Sequence, residues 1–240
     1  MRTYDRRTRG PGFAFLIAIS VTAIGVLPLS GQSGEPDPWK ISVGQVASIV
    51  GALGVGFIPN IFGINDGLPT CAPCDPATLP GIDRWAASTE RTQFDTVSDV
   101  MILLLAGGTW YELSTLPNGN ADVAASIEAT AWTYGVNQVA KAIINRNRPV
   151  LYSEDAIEAQ GSVNSHRSMY SAHASTSFAL GTSYFLSMDD KNGLGRSWPL
   201  ISAAAIAGLR LAAAKHFPTD ILVGVALGTV TAIVFHSIRF

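Results

Sequence analysis

Five long apolar segments fill most of the second half of the chain, over 97–116, 121–144, 174–188, 198–214 and 219–238, and none keeps the period-two alternation of a strand. Each is long enough for a helix, and the breaks at 117–119, 145–170 and 189–196 carry the Gly, Pro, Asn and Asp chemistry that separates helices. A sixth apolar run, 41–58, is cut by Gly44, Gly51, Gly54 and Gly56 and closed by Pro59, so it reads as a weak helix. Residues 63–97, rich in Gly, Pro, Asp and Thr, read as a long loop with one short helix near 82–88. Loops of that length are usually functional or stapled. The expected fold is all-α, a bundle of about five to six core helices.

Composition narrows the partners. Only 14% of the 240 residues are charged, 48% are hydrophobic and the net charge is −2, with mean hydropathy +0.27. Neither a disordered chain nor a nucleic-acid binder has that balance. The chain starts with Arg2, Arg6, Arg7 and Arg9, then the apolar run 13–29 and the small polar stretch 30–34. That is the pattern of an export signal, cleaved after Ser30 or Gly31, and equally of an uncleaved anchor at the lower length limit for a spanning helix. The Arg6–Arg7 pair lacks the apolar continuation of a twin-arginine signal. The expected organisation is a signal peptide or anchor at 1–31, a linker, weak helix and cysteine-bearing extracytoplasmic loop at 32–97, and a catalytic bundle at 98–240.

Whether the bundle is membrane-embedded or a soluble exported (periplasmic) protein stays open at this level. The segment 174–188 is about 22 Å long as a helix, against roughly 30 Å of hydrocarbon, and holds six Ser and Thr. The segment 121–144 carries Asp122, Glu128, Gln138 and Lys141, all costly in lipid unless they face the bundle interior. With the arginine-rich start inside, a membrane topology that places 145–173 on the outer side is self-consistent only if 41–58 does not span.

Three polar clusters interrupt the apolar chain. In the first, Lys141 and Arg148 stand almost two helical turns apart on one face, and Pro149 disfavours continued helix at Arg148. Two cations at a helix end suit a phosphate, and they also suit simple capping of a helix C-terminus, as do Arg146 and Asn147. In the second, Tyr170, Ser171, Ala172 and His173 precede a helix whose free amides can bind phosphate, with Ser171 as N-cap and His173 as a proton donor. A capping serine with an incidental histidine is the alternative. In the third, Arg210, His216 and Asp220 surround Pro218, which is placed to open the last helix. A carboxylate four residues after a histidine can hold one ring nitrogen and leave the other as a nucleophile, although Asp in a first helical turn is also ordinary dipole chemistry.

In order, the clusters spell Lys-x6-Arg-Pro, Ser-x-His and Arg-x5-His-x3-Asp. This resembles the type 2 phosphatidic acid phosphatase family, which shares its fold with the vanadium haloperoxidases, and the resemblance covers 141–220. Ala172 stands where that family usually has Gly, Tyr170 where it usually has Pro, and Leu209 where a small residue is common. Alanine still supplies a backbone amide if its φ is negative. The resemblance implies a metal-free, cofactor-free phosphohydrolase of the cell envelope acting on a lipid phosphate or polyprenyl diphosphate. In it His216 attacks phosphorus, Asp220 supports His216 and His173 protonates the leaving group. Lys141, Arg148, Arg210, Ser171 and the amide of Ala172 hold the phosphate. A vanadate-dependent haloperoxidase and a non-catalytic phosphate-binding protein are the alternatives. No protein partner is identifiable, and the membrane is the expected surrounding.

Cys71 and Cys74, in Cys-Ala-Pro-Cys, lack the βαβ surroundings of a redox motif and the further ligands of a zinc site, so a short-loop disulfide in an oxidising compartment is expected. His166 and His236 read as structural. Asp83 and Trp85, close to the cysteines, are candidates for a lid over the site.

Overall fold

The computed structural model describes residues 41–64, 71–88, 90–117, 119–189 and 192–239. The expected export or anchor segment at 1–31, and the linker up to residue 40, lie outside the described residues. Among those described there are no strands, and the fold is all-α. The helices are α1 (Val43–Ile61), α2 (Gly81–Arg84), α3 (Thr92–Ser114), α4 (Gly119–Ile144), α5 (Ala156–Ala159), α6 (Ala172–Ser187), α7 (Leu194–Ala212) and α8 (Pro218–Arg239), with short 3-10 turns at Pro76–Thr78, Pro149–Tyr152 and Val163–His166.

Helix α6 is the axle of the bundle, packed against α3, α4, α7 and α8, while α1 lies along α4. Three of its buried Ser and Thr residues bond back to their own helix: Ser175 Oγ (3.1 Å) and Thr176 Oγ1 (2.7 Å) donate to the Ala172 carbonyl, and Ser177 Oγ donates to that of Ala174. Small residues let the helices touch backbone to backbone. A Cβ on Gly228 of α8 would come within 2.0 Å of the Ser175 carbonyl oxygen, and one on Gly135 of α4 within 2.1 Å of the Ala52 oxygen on α1. The glycines that weaken α1 in the sequence therefore include one, Gly56, that sits in its crossing with α4.

Several boundaries differ from the sequence reading, each for a physical reason. Helix α1 runs on to Ile61 with buried Pro59 inside its last turn, under a capping box in which Ser42 and Gln45 cap each other at the start. Helix α3 begins at Thr92, a turn before the apolar pattern at 97, because its polar first turns face other side chains and not the core. Helix α7 begins at Leu194 with Pro199 inside it, where Gly181 of α6 gives close contact to the Pro199–Leu200 backbone.

Among the described residues two helices, Val43–Ile61 and Pro218–Ile238, are long and apolar enough to cross a membrane, and only 17% and 28% of their respective apolar windows are buried inside the protein. Val50, Phe57 and Ile61 on α1, Leu103 and Leu104 on α3, and Leu222 and Val230 on α8 are exposed. A surface of that kind suits lipid. Helix α6, with 16 residues, spans about 24 Å and is enclosed by its neighbours.

Candidate functional site

The three polar clusters meet at one end of the bundle, where α4 and α7 finish and α6 and α8 begin. Backbone hydrogen bonds fix the junction: Ser171 N donates to the Asp220 carbonyl (3.1 Å), Arg148 N to that of Ser165 (2.7 Å) and Ser168 N to that of Arg146 (2.9 Å). Asn137 of α4 donates from Nδ2 to the Tyr170 carbonyl at 2.7 Å, holding the turn that precedes Ser171.

Lys141 and Arg148 do not share a helix face. Helix α4 stops at Ile144, Asn145 takes a left-handed φ of 49°, and the chain returns with Arg148 in extended conformation before the Pro149–Tyr152 turn. The turn, not helical periodicity, brings the two cations to the same site, and both act electrostatically on His216. Lys141 is 8% exposed. Neither Lys141 nor Arg148 has a carboxylate within ion-pairing distance among the described residues, and the Arg148 Nε is enclosed without a hydrogen-bond partner.

Ser171 caps α6, its Oγ accepting from Ala174 N at 3.3 Å. Ala172 opens the helix with ordinary helical φ, so its amide remains at the positive end of the helix dipole despite the missing glycine. His173, one residue on, pairs through Nε2 with Asp99 of α3 at 2.7 Å. Burial first, then the positive charge of Arg210, lowers the His173 imidazole to about 4, with Asp99 pulling the other way.

His216 lies in the turn between α7 and α8 and is 1% exposed. Burial first, and the positive charges of Lys141 and Arg148, drive its imidazole down to about 3 against the pull of Asp220. It is therefore neutral at pH 7, the form a nucleophile needs. Asp220 Oδ2 faces His216 Nδ1 at 3.7 Å, beyond hydrogen-bonding distance, while the same oxygen accepts from Ser168 Oγ (2.6 Å) and Phe217 N (2.9 Å). With Nδ1 turned to the carboxylate, Nε2 is the nitrogen available for chemistry. Arg210 is 5% exposed and is already paired with Asp95 on α3, with Ser98 Oγ accepting at 2.8 Å. Beside Arg148 opens a cavity of about 470 Å³ whose wall includes Glu90, Asp155, Glu158, Ser162 and Lys215.

All eight residues singled out as catalytic or phosphate-binding thus lie at this end of the bundle. Two residues to which the sequence reading assigned other roles, Arg146 and Asp83, and two that it passed over, Asp95 and Asp99, are here too. Arg146 is not a helix cap: Nη1 donates to Asp220 Oδ1 at 2.5 Å and Nη2 to Asp83 Oδ2 at 2.6 Å. Asp83 is 0% exposed and held in place, unlike a lid, while Trp85 two residues on is 68% exposed. Asp95 and Asp99 sit in the polar opening of α3. Cys71 and Cys74 form a disulfide at the same end, with Cys74 N donating to the Leu151 carbonyl at 2.7 Å and Asn147 Nδ2 lying 3.2 Å from Cys74 Sγ. His166 is buried and bonded to the Asn145 side chain.

Residues 122–240 match the family model of the PAP2 superfamily. Among curated proteins and among solved structures none matches the chain.

Proposed function

From the premise that the C-terminal half of the chain, residues 122–240, belongs to the PAP2 superfamily, and so is of a phosphatase-type hydrolase family, we propose a metal-independent phosphohydrolase of a lipid phosphate or polyprenyl diphosphate. The observation that carries this reading is the pair Lys141 and Arg148. Lys141 is buried and Arg148 half-buried, and neither forms an ion pair among the described residues; taking cations out of water is costly, and a phosphoryl dianion offsets that cost when it binds between them. Arg210, Ser171 and the Ala172 amide complete the cradle.

In the proposed reaction His216 Nε2 attacks phosphorus, a P–N bond forms, and the P–O bond to the leaving group breaks with its electron pair on oxygen. His173 gives that oxygen a proton. The bound phosphate makes this possible, because its negative charge offsets Arg210 and raises the His173 imidazole. Water then attacks the phosphohistidine and yields its proton to His173, so phosphate leaves and both histidines are restored. Preorganised positive charge on the equatorial oxygens is the main source of rate.

The apolar faces of α1, α3 and α8 support a membrane location, and the disulfide at the site's end of the bundle supports an extracytoplasmic site. Arg167 bonds Asn60 and the Ile64 carbonyl at the end of α1, so that end of α1 belongs to the same side.

The test is phosphate release in detergent with chelator from phosphatidate, a polyprenyl diphosphate and an aryl phosphate, beside His216→Ala. Release by wild type alone supports the reading, and His216→Ala should still bind inorganic phosphate. No release from any substrate, or oxidation of halide on adding vanadate and peroxide, overturns it.

A further inference from the structure

Two carboxylates with no solvent exposure, Asp83 and Asp220, share one guanidinium, that of Arg146. Arg146 itself is fixed on a third side, its Cζ lying 4.5 Å above the Phe217 ring, and its Nη1 also donates to Thr219 Oγ1 at 2.7 Å. Asp83 is held as firmly: Oδ1 accepts from Thr219 N (3.0 Å) and Oδ2 from Thr219 Oγ1 (2.6 Å). The Thr219 amide is one of the free donors at the start of α8, so Asp83 caps that helix from a distant segment. Phe217 and Thr219 flank the positions that deliver His216 and Asp220.

We propose that Asp83 is a positioning residue for the phosphoryl transfer, acting through Arg146 on Asp220 and thereby on His216. The proposal rests on the phosphohydrolase reading. Arg146 pins Asp220 Oδ1, which leaves Oδ2 directed at His216 Nδ1. Asp83 sets how strongly it pins. With Asp83 ionised, the guanidinium divides its charge between two carboxylates, and Asp220 keeps enough negative potential to hold a proton on Nδ1. Removing the Asp83 charge hands the whole guanidinium to Asp220, weakens its hold on Nδ1 and lets the imidazole populate the tautomer whose Nε2 is protonated and unreactive. Asp83 lies outside the family match at 122–240, in the segment 71–88 that opens with the Cys71–Cys74 disulfide. The catalytic unit on this account extends into residues 71–88.

The test is Asp83→Asn in the full chain in detergent. Asparagine keeps the size and an acceptor for Thr219 N but not the charge. The expected result is a kcat lowered roughly 10–100-fold, the range for lost outer-shell partners, with KM within about twofold, the signature of an interaction made in the chemical step. A second readout needs no substrate. The chain has four histidines, so ¹⁵N-histidine NMR, assigned with His216→Gln, reports the His216 tautomer. Wild type should show Nδ1–H, and Asp83→Asn a shift toward Nε2–H. An unmoved His216 signal overturns the proposal, whether kcat is unchanged or falls together with thermal stability. If wild type releases no phosphate, the phosphohydrolase reading fails while the tautomer signal still decides the clamp. Should Asp83→Asn not fold, Arg146→Lys takes its place, since one ammonium cannot hold both carboxylates in the fork geometry. The same two readouts then decide.

Discussion

The buried His216 should make the protein sensitive to acid in a way that one substitution removes. Its imidazole takes up a proton near 6.5 in the unfolded chain and only near 3 in the folded one, because burial and the charges of Lys141 and Arg148 oppose the cation more than Asp220 favours it. Between those two values the unfolded state binds more protons, so stability is full above about pH 6.5 and is lost as pH falls toward 3. At about 1.4 kcal/mol per pH unit, His216 accounts for about 3 kcal/mol of loss between pH 7 and pH 4. His216→Gln has no such proton to take up. Urea unfolding followed by tryptophan fluorescence in detergent, at pH 7, 6, 5 and 4, gives the comparison, since carboxylates and His173 titrate in both proteins and cancel in the difference. The wild-type curve should fall more steeply, converging on or crossing that of the variant by pH 4. Parallel curves, differing by less than about 0.5 kcal/mol in their pH dependence, would refute the assignment of His216 as a buried neutral imidazole.

Three further outcomes follow from particular contacts. Ala214 holds a φ of 54° in the turn before His216, so Ala214→Gly should stabilise the protein by about 1 kcal/mol in the same assay. Gly228→Ala places a methyl against the Ser175 carbonyl and should cost about 3 kcal/mol or more, or abolish a cooperative melt, as α6 and α8 are forced apart. Replacing Cys71 and Cys74 together by Ser should cost about 2 kcal/mol, the chain-entropy value for so short a loop, seen as an equal shift when the wild type is melted under reducing conditions.

The helices were legible because apolar periodicity survives wherever a helix packs on the core. Where a helix end packs on the site, it was not. The opening of α3 looked like loop because Thr92, Gln93, Asp95 and Thr96 are polar, yet Asp95 is polar for Arg210. That Lys141, Ser171, His173, Arg210, His216 and Asp220 belong together was legible only through their order and spacing, since each had an innocent reading in isolation. Arg146 and Asp83 show the limit of that method. They are 63 positions apart, belong to no local pattern, and acquire a role only when the loop carrying Asp83 folds against the start of α8.

Charge pairing is what sorts the site's cations, and composition could not have done it. Arg146 is committed to Asp83 and Asp220, Arg210 to Asp95, and Lys215 to Glu90 at 2.6 Å and Asp95 at 3.2 Å. Those three are neutralised by the protein's own carboxylates, so a phosphate gains less from them than Coulomb's law in isolation suggests, and their first task is to hold turns in register. On the proposed reading, Lys141 and Arg148 are the pair left for the phosphate. The electrostatic gain on binding should therefore concentrate at the end of α4 and the turn after it. A phosphate-affinity series should accordingly fall further for Lys141→Met or Arg148→Met than for Lys215→Met, although all three remove a basic side chain.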